Sequence, residues 1–214
     1  MVSEIRENIF TEREKMELRE TILEGVIVVF NQKGLKFTMD DVARVLSMSK
    51  KTIYTIFDDK ESMFLTMVDY IFDKIKESER KILEDDSLGT LEKIRRILGV
   101  MPEGYREIDL RQLYALREKY PGIYARVEER LENGWESTVA LMVQGMEEGV
   151  IRPVSIPLVK MMLEASLEQF FQRDILIQNR MNYVDGLEQV VDILIYGIAA
   201  GEPRRPVCEC GQQV

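Results

Sequence analysis

The stretch TMDDVARVLSMSKKTIYTIFDDK, Thr38 to Lys60, decides how this chain is read. Thr38 and Asp41 stand at capping-box spacing, so a helix is expected to start at Thr38, the hydroxyl closing one orphan amide and the carboxylate reaching back. Val42, Val45 and Leu46 recur at helical spacing and mark one apolar face of about two turns. Ser47-Met48-Ser49 then interrupts with residues that favour turns and caps. Ser49 caps a second short helix in which Ile53 and Phe57, at i and i+4, turn inward and leave Lys50, Lys51, Thr52, Tyr54 and Thr55 toward solvent.

Isolated helices below about 12 residues are marginal in water, so these two need a platform on each side. Upstream, Ile22, Val26, Val29 and Phe30 share one face of a longer helix that ends near Lys33-Gly34, where glycine permits a left-handed C′ residue. Downstream, Asp58 and Glu61 have a second capping-box spacing. Phe64, Met67, Val68, Ile71, Phe72 and Ile75 follow as the apolar stripe of a long helix. The expected unit is a three-helix head on a long connector, with a polar, basic second helix of the kind that suits phosphates and base edges.

The head resembles the TetR family of transcriptional regulators. The residues that carry the resemblance are Gly34, Phe37, Thr38, Ala43, Ser49, Thr52, Tyr54, Phe57 and Lys60, several spaced positions agreeing at once. Ser47-Met48 departs from the Gly-Val usual in the turn, Gly25 stands where Ala is common, and Ile56 where an aromatic residue often precedes the Phe. The resemblance implies an all-α fold of about nine helices, a helix-turn-helix head and a larger helical ligand-binding and dimerisation body. On this reading residues 1–60 form the DNA-binding domain, 61–200 the effector-binding and dimerisation domain, and 201–214 a flexible tail. It also implies DNA contacts from Thr38, Lys50, Lys51, Thr52, Tyr54, Thr55 and Lys60, the tyrosine and Lys60 approaching phosphates and the recognition helix addressing the major groove.

Charge distribution agrees with such a head. The chain carries 29 basic and 38 acidic residues, net −9, but Lys33 to Lys60 holds six basic against four acidic residues. A locally basic head on an acidic body binds through few phosphates and discourages indiscriminate coating of DNA, with affinity sensitive to salt. The 45% hydrophobic content disfavours a disordered acidic module. No apolar run approaches the roughly 18 residues of a membrane span, and MVSEIRENIFTEREK is too charged for a signal peptide, so a soluble cytoplasmic protein is expected. Both cysteines lie in the tail, which leaves no disulfide framework.

The body reads as helices with breaks at Asp86-Ser87, Pro102-Glu103-Gly104, Pro121-Gly122, Gly149 to Pro157 and around Asn182. Leu158 to Ile177 is apolar on more than one face, and Leu187 to Ile198 makes a second apolar stripe. In the family the final two helices pair across a two-fold axis, which implies a homodimer interface of Leu158, Met162, Phe171, Leu187, Val190, Val191, Leu194, Ile195 and Ile198. The same resemblance places an effector pocket among Met67, Tyr70, Ile71, Met101, Tyr105, Leu113, Tyr114, Arg117, Trp135, Met142, Met162 and Phe170, a set rich in adaptable methionine and aromatics. Tyr105, Tyr114, Tyr120, Tyr124 and Trp135 suit either a cage for a cationic ligand, with Glu164 or Glu168 as counter-charge, or the packing of an acyl chain.

The expected partners are therefore a double-stranded DNA operator, a small-molecule effector and a second copy of the chain, with no cofactor, metal or membrane. The expected role is a repressor released from a palindromic operator by a small apolar or amphipathic effector. An enzyme is disfavoured: no histidine occurs, no Gly-rich phosphate loop is present, and Glu128-Glu129 and Glu147-Glu148 do not share a helix face. Cys208-Glu209-Cys210 offers two sulfurs where a zinc site takes four ligands, leaving a metal- or redox-responsive tail as a lesser alternative. A helical protein-interaction module is the other, disfavoured by a recognition face of Lys, Thr and Tyr rather than apolar side chains.

Overall fold

The computed structural model describes residues 11–105, 116–172 and 175–199, without the side chains of Glu103, Phe171, Gln172 and Ile177. The described residues are all-α, with a lone antiparallel bridge between Ile151 and Ala199 and no strand. The helices are α1 (Glu12–Lys33), α2 (Met39–Val45), α3 (Lys50–Ile53), α4 (Lys60–Leu83), α5 (Thr90–Leu98), α6 (Pro121–Glu132), α7 (Glu136–Glu147), α8 (Ile156–Gln172), α9 (Ile175–Gln178) and α10 (Tyr183–Ile198). The expected tail, with Cys208 and Cys210, lies outside the described residues.

Local chemistry accounts for most of the boundaries. Thr38 caps α2 in the expected capping box, its backbone N–H donating to Asp41 Oδ2 at 2.9 Å. Ser49 caps α3 by accepting the Thr52 N–H at 3.1 Å. Helix α1 ends at Gly34, whose φ of 56° needs a residue without Cβ; its ψ of −147° lies outside the left-handed helical basin anticipated for that cap. The cap of α4 is displaced by one residue from the expected Asp58-Glu61 pair. Asp59 accepts the Ser62 N–H at 2.7 Å and Ser62 Oγ accepts the Asp59 N–H at 3.3 Å, so a serine closes the box where glutamate was expected. Pro121 opens α6 at a position where its missing N–H costs nothing, so the break lies at Tyr120 rather than within Pro121-Gly122.

Among the described residues, two hydrophobic cores result. The first joins α1, α2, α3 and the beginning of α4, and continues without interruption to Tyr105, Leu116, Ile123 and Val127. Phe64 sits at its centre, its ring 5.3 Å from Phe30, 5.9 Å from Phe37 and 6.3 Å from Tyr120. Truncating such a fully buried phenylalanine to alanine costs about 3–5 kcal/mol. Helix α2 buries Met39, Val42 and Ala43, while Val45 faces solvent, contrary to the apolar face expected of it. A helix of two turns has room for one inward ridge, and Leu46 takes the next place on it by packing into this core.

The second core joins α5, α7, α8 and α10. Here part of the expected two-fold interface is used within one chain. Leu187, Val191, Leu194, Ile195 and Ile198 are buried inside one chain, and Val190 packs partly against the same core. The residues left outward are Leu158, Met161 and Met162 on α8 and Ile193 and Tyr196 on α10, the last two 71% and 81% exposed. Helix α10 is apolar around most of its circumference, so periodicity alone does not say which face goes inward. The side chain of Phe171 lies outside the described residues.

Ion pairs tie α6 to α4: Arg126 Nε lies 2.7 Å from Asp69 Oδ1, and Arg130 donates to Asp73 Oδ1 at 2.6 Å. The connector is therefore held along its length by the body while its first turn belongs to the head. No helix among the described residues is long and apolar enough to cross a membrane.

Candidate functional site

The head presents a short recognition segment. Helix α3 runs only from Lys50 to Ile53 and is prolonged by turns, with Tyr54 N–H donating to Lys50 O at 2.9 Å and Phe57 N–H to Ile53 O at 3.1 Å. Ile53 and Phe57 are buried and anchor the segment on the core. Lys50, Lys51, Tyr54 and Thr55 face outward. Lys51 has no hydrogen-bond or ion-pair partner among the described residues, whereas Lys50 lies 3.0 Å from Asp40 Oδ1. Thr52 shares a 2.9 Å hydroxyl contact with Ser49, and Thr55 donates to Thr52 O at 2.6 Å, so both hydroxyls are already engaged within the segment.

Two of the expected DNA contacts are occupied by structural work. Thr38 Oγ1 donates to Asp41 Oδ2 and accepts the Asp41 N–H, at 2.9 and 3.3 Å. Lys60 Nζ donates to Leu35 O at 3.0 Å and to Phe37 O at 2.5 Å, and stands 4.0 Å from the centre of the Phe37 ring. Its ammonium thus closes the loop that precedes α2 onto the first turn of α4. Burial lowers the Lys60 pKa, and neighbouring Lys119 adds to that. Asp41 gathers the other side of the loop: Lys33 Nζ donates to its Oδ1 at 2.6 Å. That bond first, and then those from Thr38, hold the Asp41 carboxyl down to about 2.

The turn between α2 and α3 carries the departure noted in the sequence. Ser47 adopts φ 52°, the left-handed conformation that the usual glycine accepts without strain. Gly25 has a separate explanation: a Cβ there would lie 2.6 Å from Leu46 Cδ2, so α1 and α2 meet at this point with no room for a methyl group.

Behind the head, a cavity of about 130 Å³ lies against the inner face of α4. Its apolar wall includes Phe72, Ile75, Met101, Trp135, Leu163, Leu167 and Tyr183. The polar side is an ion pair: Lys76 Nζ lies 2.9 and 2.7 Å from the two Glu79 carboxylate oxygens and donates to Gly134 O at 2.6 Å. Pockets for drug-sized ligands run from about 300 Å³ upward, so only a small molecule fits without widening the walls.

Of the residues expected to line an effector pocket, Met101 and Trp135 line this cavity. Met67, Tyr70, Ile71 and Tyr105 belong instead to the first core, because that face of α4 is taken up by α1 and α6. Met142 and Phe170 are consumed by packing in the second core, Arg117 is exposed, and Met162 faces outward on α8. Leu113 and Tyr114 lie outside the described residues. Among the described residues the aromatic cage is not assembled. Trp135 lines the cavity, its Nε1 donating to Leu131 O at 3.0 Å, while Tyr120 packs on Phe64. Glu164 Oε1 is buried without a hydrogen bond, although Lys160 Nζ stands 3.5 Å away. The signal missed in the sequence was Asn133-Gly134, whose φ of 82° at Gly134 makes the bend between α6 and α7 and turns its carbonyl to Lys76.

A further group of contacts joins the head to the body. Glu24 Oε1, on α1, accepts hydrogen bonds from Tyr70 OH at 2.8 Å and from Tyr105 OH at 2.9 Å. Burial, followed by the bond to Glu24, raises the Tyr70 pKa to about 12 and pushes that of Tyr105 up as well, so both phenols are donors at neutral pH.

Comparison with known proteins agrees with this geometry. Residues 22–67 match the family described as bacterial regulatory proteins, tetR family. The chain is 28% identical over 181 residues to the uncharacterized HTH-type transcriptional regulator YvaF of Bacillus subtilis, covering 85% of this chain and 95% of that one. It is 24% identical over 140 residues to the HTH-type transcriptional repressor NicS of Pseudomonas putida, covering 64% of this chain and 60% of that one. Among solved structures, a TetR-family transcriptional regulator from Cytophaga hutchinsonii shares the fold with a TM-score of 0.67 at 19% identity, over 90% of this chain and 99% of that one. A TetR transcription regulator from Haloarcula marismortui does so with a TM-score of 0.67 at 14% identity, over 86% and 99%. With the head, the all-α body and these relatives in agreement, residues 22–67 form the head of the tetR family of bacterial regulatory proteins, and the described body has the fold of TetR-type DNA-binding transcriptional regulators.

Proposed function

We propose that this chain is a homodimeric repressor that leaves a palindromic operator when a small apolar or amphipathic molecule enters the cavity behind α4. The observation that carries the reading is that one helix serves both places. Lys60, its first residue, is seated on the carbonyls of the head, and Phe72, Ile75, Lys76 and Glu79 of the same helix wall the cavity. From Lys60 to Lys76 the helix spans about 24 Å, so a tilt of about 10° at the cavity end displaces the other end by about 4 Å. Two heads must sit about 34 Å apart to enter successive major grooves, and a displacement of that size in each copy costs register. The effector acts by preferring the dimer shape that fits DNA poorly.

In this reading Lys51, Lys50 and Tyr54 meet the DNA, with the exposed Thr55 beside them keeping its hydroxyl on Thr52 O, and Thr38, Thr52 and Lys60 hold the segment that presents them. The dimer forms through the outward stripe of Leu158, Met161, Met162, Ile193 and Tyr196, because exposed apolar side chains adjacent on two packed helices are more than one surface normally carries. Repression is also what the name of the relative NicS describes for that protein.

The test is selection of bound duplexes from a randomised library at two salt concentrations, followed by a screen of small apolar and amphipathic compounds for release. A recovered palindrome, steep loss of affinity with salt and release by a compound that also protects the cavity are the expected results. Enrichment of a half-site without symmetry would remove the dimeric operator, and failure of every cavity-binding compound to change operator affinity would remove the effector mechanism.

A further inference from the structure

We infer that the segment from Val100 to Tyr105 is a second transmission line, carrying cavity occupancy directly to α1 of the head through the hydrogen bond between Tyr105 and Glu24. The inference rests on the coupling of cavity and operator proposed above, and it names a route that does not pass along α4. Val100 and Met101 are part of the cavity wall. Four residues after Met101, the Tyr105 hydroxyl donates to Glu24 Oε1 at 2.9 Å, and the tyrosine is 5% exposed.

What lies between them is stiff. Pro102 has a fixed φ, and the Tyr105 N–H donates to Pro102 O at 2.9 Å, closing the 3-10 turn Glu103–Tyr105. A residue pushed at the cavity end of such a turn moves the far end with it for as long as the closing hydrogen bond holds the turn together. The receiving oxygen is shared: Tyr70 on α4 donates to the same Glu24 Oε1 at 2.8 Å. Displacing Tyr105 leaves Glu24 held by α4 alone, so the position of α1 relative to the body depends on this segment as well as on the connector. Glu24 lies on the exposed side of α1, where packing does not hold the carboxylate; its two phenol partners are what orient it.

Coupling between two sites is reciprocal, so DNA bound at the head must be felt at the cavity wall. The experiment therefore needs no effector. Amide hydrogen exchange is followed in the full-length protein with and without the duplex recovered by selection, in the native chain and in Tyr105→Phe, Glu24→Ala, Glu24→Gln and Tyr70→Phe. The expected result is protection of residues 38–57 by DNA together with a change of about fivefold or more in exchange across residues 100–105, the Tyr105 amide included. Tyr105→Phe and Glu24→Ala lose the change at 100–105 while the head remains protected. Glu24→Gln, which keeps an acceptor oxygen, and Tyr70→Phe, which leaves the bond between Tyr105 and Glu24 intact, both retain it.

Protection of the head with no change at 100–105 in the native chain overturns the inference and leaves the proposed repressor intact. An undiminished change in both Tyr105→Phe and Glu24→Ala overturns it equally, since the signal then travels elsewhere. Absence of head protection in the native chain removes the operator reading itself and the coupling with it.

Discussion

Replacing Lys60 with alanine separates a structural lysine from a phosphate-binding one. The ammonium makes two charge-assisted hydrogen bonds, to Leu35 O at 3.0 Å and Phe37 O at 2.5 Å. Bonds of this kind are worth about 1.5–3 kcal/mol each. Lys60 is only half-buried, so water takes over part of both, and a loss of about 2 kcal/mol in total is the reasonable figure. For a chain of this size that lowers the melting temperature by about 4–8 °C. Operator affinity falls by at most about 30-fold, the same free energy expressed as a binding constant, because the loop before α2 no longer holds the head in one arrangement. The salt dependence is the decisive readout. No phosphate contact is lost, so the slope of log affinity against log salt stays that of the native chain. Lys51→Ala gives the opposite pattern: melting is unchanged and the slope flattens by about 0.9, one counterion fewer. Melting curves and operator titrations at four salt concentrations measure both quantities. A Lys60→Ala variant with unchanged melting and a flattened slope would refute the structural role and return Lys60 to the phosphate backbone.

Other consequences concern the turn, the cap and the dimer. Ser47→Gly relieves the left-handed strain at φ 52° and should raise the melting temperature by the equivalent of about 0.5–1 kcal/mol; a decrease would mean that the serine side chain makes a contact the strain argument overlooks. Gly25→Ala forces Leu46 away from a methyl group built at 2.6 Å and should destabilise the protein by about 1–3 kcal/mol in urea unfolding. Asp41 titrates lower in the folded chain than its ordinary 3.8, so its stabilising contribution is complete above that value and disappears as the pH falls from 3.8 toward about 2. The stability difference between the native chain and Asp41→Asn, followed by denaturant titration, should shrink across that window and be flat above pH 5. Ile193→Asp places a charge at a side chain 71% exposed in one chain, so folding is spared. Sedimentation should show a shift from dimer to monomer; a persisting dimer would place the two-fold interface elsewhere.

Glu24 alters how the head and body are divided. A boundary at Lys60 is natural in the sequence, where a capped helix begins. In the structure the first core runs across it, joining Phe64 to Phe30 on one side and to Tyr120 on the other. The head is therefore steered by whatever Tyr105, Tyr120 and α4 do together, and a variant far from the recognition segment can change operator affinity without touching DNA.

The sequence by itself determined most of the local chemistry, the cap of α4 by Asp59 and Ser62 being the exception. Thr38 with Asp41, Ser49 before Thr52 and glycine at the end of α1 each act over three or four residues, and a capping hydrogen bond needs only the neighbours it is encoded with. The inward pair of Ile53 and Phe57 was legible for the same reason, as was the resemblance of the head to that of a family of helix-turn-helix regulators. Tertiary structure decided everything that depends on which of several apolar faces meets another element. It turned Leu187, Val191 and Leu194 inward and Ile193 and Tyr196 outward on one helix, and it spent Met67, Met142 and Phe170 on packing while choosing Phe72, Lys76 and Glu79 for the cavity. It also brought Lys60 to two carbonyls more than twenty residues away, at Leu35 and Phe37. Those outcomes follow from competition among helices for the same apolar and polar partners, and the winner is set by the arrangement of the whole bundle rather than by the spacing within any one helix.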